Sequence, residues 1–139
     1  MIDIGSVLSD RYELQERLGV GGMGEVYKAF DRELEREVAI KALLPHLASD
    51  EQLLQRFRRE ARTLARVRHP AIIALFDILR QKDGSFFLVL ELVPGHSLEV
   101  ELANAPLSWE RCVDIGSQVC GALAAAHDDK SKRALSSFS

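Results

Sequence analysis

The chain has few of the features that would take it out of water or into an oxidising compartment. No stretch approaches the length of a membrane span; the apolar run at residues 71–76 is ended by Asp77 and Arg80. The N-terminus, Met1-Ile2-Asp3-Ile4-Gly5, has no basic region and no long apolar segment, so no secretory signal is expected. Only two cysteines occur, Cys112 and Cys120. Both fall on one predicted helix, too far apart along its axis to bond to each other. They are expected as reduced, buried thiols, with the cytoplasm as the compartment. Charge of one sign is also scarce. The 18 Lys and Arg against 21 Asp and Glu leave a net charge of −3, which argues against a general nucleic-acid surface. Neither nucleic acid nor membrane is expected as a partner. There is no internal repeat. His69 and His127 each sit at a predicted helix end, where an imidazole can meet free carbonyls. Neither has a metal-ligand partner nearby, so no metal site is expected.

The 139 residues suffice for one domain with a real core, and 47% hydrophobic and 28% charged residues are ordinary for a globular protein. Against that plain background two segments stand out. Residues 19–26 read Gly-Val-Gly-Gly-Met-Gly-Glu-Val, and residues 38–41 read Val-Ala-Ile-Lys. A glycine-rich loop lets backbone N–H groups approach a phosphate with no Cβ in the way. A lysine on a following strand supplies a point charge for phosphate oxygens. The glycine spacing alone is weak, because dinucleotide-binding folds share it. Those folds run from strand to glycines to helix. Here the glycines precede Glu25-Val26-Tyr27-Lys28-Ala29-Phe30, which alternates and reads as a strand. No lysine follows the glycines directly, which removes the P-loop reading. The plain alternative is a glycine-rich hairpin turn with no ligand.

Alternation predicts strands over Tyr12–Leu18, Glu25–Asp31 and Glu37–Ala42, with a charged, solvent-exposed turn at residues 31–37. Pro45 breaks the pattern. A helix is predicted from Ser49 or Asp50, with Ser49 and Gln52 as a capping box. Leu53, Leu54, Phe57, Ala61, Leu64 and Ala65 recur at helical spacing. Arg56, Arg58, Arg59, Arg62 and Arg66 decorate the rest, and read as a solvated face ahead of an RNA- or lipid-binding patch. Two further strands, Ile72–Leu79 and Phe86–Leu90, flank an Asp83-Gly84 hairpin signal. A short helix is predicted over Leu98–Asn104. A long one follows Ser108 as N-cap, with Cys112, Val113, Ile115, Val119, Cys120, Leu123 and Ala126 as its apolar positions. Residues 131–139 form a polar, serine-rich tail.

The glycine loop followed by Val-Ala-Ile-Lys matches the protein-kinase pattern without a mismatch. With Met23 in the loop, Val-Arg-His-Pro-Ala-Ile at 67–72 and Leu-Glu-Leu-Val-Pro-Gly at 90–95, the chain resembles the bacterial serine/threonine kinases of the eukaryotic-like type. The resemblance runs from about residue 12 to about residue 130. It implies an α+β fold: a kinase N-lobe over residues 1–93, with a five-stranded antiparallel sheet and one main helix. The hinge and two helices of an incomplete C-lobe would follow over 94–130. It also implies roles. Gly19, Val20, Gly21, Gly22 and Gly24 would cover the ATP phosphates. Val26 and Ala39 would pack on adenine, and Lys41 would contact the α- and β-phosphates. Glu60 would pair with Lys41, the alternative being a surface acid paired with Arg56. Leu90 would be the gatekeeper, and Glu91 and Val93 would offer backbone groups to the adenine edge.

The same family needs an H-R-D-L-x-x-x-N loop and a D-F-G motif for its base and its magnesium ligands. Neither occurs in these residues, nor does A-P-E; after Ala124-Ala125-Ala126-His127 the chain reads Asp128-Asp129-Lys130. The family implies ATP with Mg, but here ATP is expected to bind weakly and the metal ligands are missing. The expectation is a kinase domain truncated before its catalytic loop and inactive by itself. The alternative is a non-catalytic module that binds nucleotide or a kinase. Residues 108–126, without their C-lobe cover, are expected to self-associate, to bind a partner protein, or to refold against the N-lobe.

Overall fold

The computed structural model describes residues 2–21 and 24–136, with residues 131–136 as backbone. Gly22 and Met23 of the glycine loop, and residues 137–139 of the tail, lie outside the described residues. The chain divides into two compact units, residues 1–65 with 74–92, and residues 66–73 with 93–139.

The first unit is one antiparallel sheet. Its strands are β1 (Val7–Leu8), β2 (Tyr12–Gly21), β3 (Gly24–Asp31), β4 (Arg36–Leu43), β5 (Leu75–Arg80) and β6 (Phe86–Glu91), in the order β1-β2-β3-β4-β6-β5. The expected α+β architecture holds, with a sixth strand added. β1 is two residues long, too short to show a period, and residues 1–10 read only as a lead-in. Two helices follow β4, a single turn α1 (Pro45–Ala48) and the longer α2 (Glu51–Arg66). Pro45 therefore begins a helical turn, because its fixed φ and missing N–H suit a first helical position. The cap of α2 is Asp50, whose Oδ1 accepts from the N–H groups of Gln52 and Leu53 at 2.9 and 3.2 Å. Ser49, the expected cap, instead donates its hydroxyl to the His46 carbonyl.

The period-two alternation of strands builds a core on each face of the sheet. Val38, Ile40, Ala42, Phe87 and Val89 join Leu8, Tyr12, Leu14, Tyr27 and Ala29 on one face. Ala39, Leu43, Leu88 and Leu90 on the other meet Phe57 and Ala61 of α2. Each Val, Leu, Ile or Phe among them contributes about 1.5–3 kcal/mol when fully buried. The sheet is curled. Tyr12 on β2 donates to Asp77 Oδ2 on β5 at 3.2 Å, although three strands separate them in the sheet. Burial, and then the Asp77 carboxylate, push the Tyr12 hydroxyl up to about 12.

Asp31 ends β3 and is fully buried, where the sequence predicted an exposed turn. Arg11 donates to both its oxygens at 2.8 Å, and the N–H groups of Glu33 and Leu34 donate to Oδ1. A carboxylate with four donors tolerates burial. Of the rest of that predicted turn, residues 32–35 are exposed as expected, while Arg36 and Glu37 belong to β4, with Arg36 half-buried.

The second unit holds α3 (Leu98–Asn104) and α4 (Trp109–Ser136). Ser97 and Ser108 accept from the N–H groups of Val100 and Arg111 as N-caps. α4 carries on through the expected tail to Ser136, since no glycine or proline interrupts residues 122–136. Cys112 and Cys120 are free but exposed, which corrects the expectation of buried thiols. They lie on the side of α4 that carries Trp109, Val113, Val119 and Leu123, all of them exposed. His69 also differs: its Nδ1 accepts the Ala71 N–H at 3.0 Å, instead of donating to helix carbonyls.

The buried ion pair predicts a pH dependence. The Arg11 hydrogen bonds, then the Leu34 and Glu33 N–H groups, hold Asp31 down from 3.8 to about 2 against the desolvation that raises it. A carboxylate depressed on folding stabilises the fold above its unfolded pKa, and that stabilisation fades as pH falls through the folded one. We therefore expect roughly 2 kcal/mol of stability to be lost between about pH 4 and pH 2. Asp31→Asn should flatten that segment of a denaturant-midpoint-versus-pH curve. A wild-type curve with no fall between pH 4 and pH 2 would contradict the assignment.

Candidate nucleotide site

The register of the sheet decides which side chains share a face. Val26 pairs with Gly19 on β2 and with Lys41 on β4, and Lys41 pairs with Leu88 on β6. The next row on the same face is Lys28, Ala39 and Leu90. Val26, Ala39, Lys41 and Leu90 therefore stand on one face, brought together from three strands. Ala39 and Leu90 are buried, and Val26 is half-buried.

α2 crosses that face. Phe57, Glu60, Ala61 and Leu64 lie at helical spacing on one stripe, so the residue that accompanies the apolar anchors is a carboxylate. Its two oxygens accept from Lys41 Nζ at 2.9 and 2.8 Å. The Lys41 side chain is 18% exposed and that of Glu60 32%. A half-buried ammonium held by both carboxylate oxygens is fixed in direction yet reachable from solvent. The alternative partner Arg56 has no ion pair with Glu60.

The glycines divide by role. Gly24 has φ +135°, and a Cβ there would sit 1.9 Å from the Ala42 carbonyl oxygen. Glycine is thus demanded at position 24 by the hairpin's own packing on β4. At Gly19 and Gly21 a Cβ would meet nothing within 4 Å, so the chain itself makes no such demand. Gly21 pairs with Gly24 at the hairpin end, and Val20 is exposed there.

Glu91 ends β6. Its N–H donates to the Ala74 carbonyl at 2.9 Å, and its Oε2 accepts the Ala74 N–H at 3.0 Å. The Glu91 N–H is therefore already committed within the sheet. Val93 belongs to the second unit and is exposed. Sequence reasoning passed over Lys28, which shares the face and is tied to Glu37 at 2.7 Å; only the strand period would have pointed to it.

The arrangement brings together an anchored ammonium, a glycine hairpin and an apolar platform. Among the described residues no group of three or more His, Cys, Asp or Glu is placed to hold an ion. No helix among them is long and apolar enough to cross a membrane.

Comparison with known proteins agrees with this fold. The protein kinase domain family model matches residues 12–131. The chain is similar to the serine/threonine-protein kinase PrkC of Bacillus subtilis, 40% identical over 128 residues, covering 91% of this chain and 20% of that protein. It is equally similar to PknB of Mycobacterium tuberculosis, 40% identical over 128 residues, with 89% and 20% covered. The chain thus spans about a fifth of the length of these relatives. Among solved structures, the PknI kinase domain of Mycobacterium tuberculosis superposes with a TM-score of 0.76 at 28% identity, covering 93% of this chain and 52% of that one. The family uses ATP and Mg in general. With the anchored lysine, the glycine hairpin and a family match over most of its length, this chain belongs to the protein kinase domain family.

Proposed function

We propose that residues 12–92 form the phosphate-anchoring and base-packing half of an ATP site, and that the 139 residues alone bind ATP weakly and transfer no phosphate. The observation that carries this reading is the Lys41–Glu60 pair. An ammonium held by a carboxylate is preorganised for α- and β-phosphate oxygens, so less ordering is left to the moment of binding. Val26, Ala39 and Leu90 offer an apolar surface for a purine, and Gly19 and Gly21 leave room for phosphate to approach the hairpin. When bound, ATP supplies the γ-phosphoryl group that the family transfers to a serine or threonine hydroxyl. These residues hold and orient; none of them is placed to take a proton from a hydroxyl. Transfer would draw on the H-R-D and D-F-G motifs, which these residues do not contain. In the whole protein we assign serine/threonine phosphorylation, on the cytoplasmic side where ATP is available.

A second reading, association through residues 108–126, is favoured by a separate observation. Trp109, Val113, Val119 and Leu123 are all exposed, and with Cys112 and Cys120 they fall within about 120° of the helix circumference. Contiguous apolar stripes of this kind mark association surfaces. We propose a second copy of the chain as the occupant, because a like stripe on a like helix is self-complementary about a two-fold axis.

Titration calorimetry should find ATP binding that weakens about tenfold in Lys41→Ala, as loss of one charge-assisted contact implies. Magnesium should change the affinity little, and no phosphate should reach a generic acceptor protein. Binding that magnesium strengthens markedly, or turnover that survives Lys41→Ala, would sink the proposal. For the second reading, light scattering should give a mass above 15.5 kDa, reverting to monomer in Val113→Glu; a wild-type monomer at all concentrations would contradict it.

A further inference from the structure

The arginines of α2 make no ion pair among the described residues. Elsewhere Arg11, Arg17, Arg32, Arg36 and Arg111 each lie within 4.0 Å of a carboxylate. Arg56, Arg58, Arg59, Arg62 and Arg66 are all exposed, and none has an ion pair among the described residues. Glu60, the acid in their midst, is spent on Lys41. Two arginines are further constrained. The guanidinium of Arg58 lies 5.5 Å from the centroid of the Phe86 ring, and that of Arg80 on β5 lies 5.2 Å from the same ring. Arg80 is likewise exposed and without an ion pair among the described residues. Stacking uses the flat face of a guanidinium and leaves its N–H edges for an oxyanion. Two forks held on one aromatic ring form a clamp with less rotamer freedom to lose on binding.

We propose that the Arg58–Phe86–Arg80 cluster, with Arg59 and Arg62 of α2 beside it, docks an acidic peptide segment of a partner protein. Charge complementarity favours a peptide. The patch is confined to α2 and the adjoining hairpin of a chain whose net charge is −3, which does not suit the long phosphate track of a nucleic acid. None of the large exposed apolar residues lies on α2, and Ile78 beside Arg80 on β5 is a single exposed side chain, which gives this face little to insert into a lipid surface. Carboxylate and phosphoryl oxyanions share the required chemistry. The proposal stands apart from the nucleotide reading, since it uses neither Lys41 nor the glycine hairpin.

The test is fluorescence anisotropy with two labelled pentapeptides, one with a phosphoserine flanked by glutamates and one with glutamate throughout. Phosphatidylserine vesicles and a short DNA duplex serve as competing probes. Binding of either peptide that weakens with salt is expected, with Arg58→Gln and Arg80→Gln each weakening it about tenfold. Arg58→Lys, which keeps the charge but loses the fork, should still weaken binding several-fold. Arg32→Gln, which alters a cation paired with Glu13 elsewhere, should change it less than about twofold. Unchanged thermal midpoints and circular dichroism would show each variant folded. Equal effects from Arg32→Gln and Arg58→Gln, an Arg58→Lys variant that binds like wild type, or capture of vesicles or DNA in place of both peptides would overturn the proposal.

Discussion

The contact between Lys41 and Glu60 is the constraint on which the site depends. It joins two periods, the alternation of β4 and the 3.6-residue turn of α2. Lys41 faces the helix only because Ala39 and Leu43 on either side of it do so. Glu60 faces the sheet only because Phe57, Ala61 and Leu64 bury the same stripe. A slip of one residue in the β4 register would turn Lys41 to the opposite face, among Val38, Ile40 and Ala42. The pair is thus specified by apolar packing on both sides, and needs little net energy of its own. A half-exposed ion pair contributes on the order of 1 kcal/mol or less.

The remainder of the first unit keeps that register in place. β4 is flanked by β3 and β6, so its hydrogen bonds are satisfied on both edges. At the far end of the β3–β4 connection the buried Asp31 fixes Arg11 and the turn N–H groups. At the near end Gly24 lets the glycine hairpin lie against the Ala42 carbonyl. The curl that brings Tyr12 to Asp77 closes the face away from α2 over a core drawn from the strands and Leu44. These contacts hold the platform of Val26, Ala39 and Leu90 in line with Lys41.

Much of this was legible in the sequence, and the gaps have physical causes. Alternation gave β2 to β4 and β6 within a few residues, and the stripe of Leu54, Phe57, Ala61 and Leu64 gave α2. The glycine loop and Val-Ala-Ile-Lys pointed to the kinase family. Lys41 and Glu60 are 19 residues apart, and only the resemblance linked them; no local pattern reports a contact between elements. Asp31 was misread because a charged turn is normally solvated, and burial with four donors depends on Arg11 arriving from elsewhere. The cap moved from Ser49 to Asp50 because both are good capping residues and the helix start decides between them. The exposed cysteines were misjudged because residue type predicts burial only when something is present to do the burying.

The most direct test of the central claim is a double-mutant cycle on ATP binding with Lys41→Met, Glu60→Gln and the double variant, each checked for an unchanged fold. If Glu60 acts through Lys41, its removal should weaken binding in the wild-type background and have almost no effect once Lys41 is gone. The coupling would then be on the order of 1 kcal/mol or more. Equal losses from Glu60→Gln with and without Lys41 would show that the two side chains act independently, and would contradict the account.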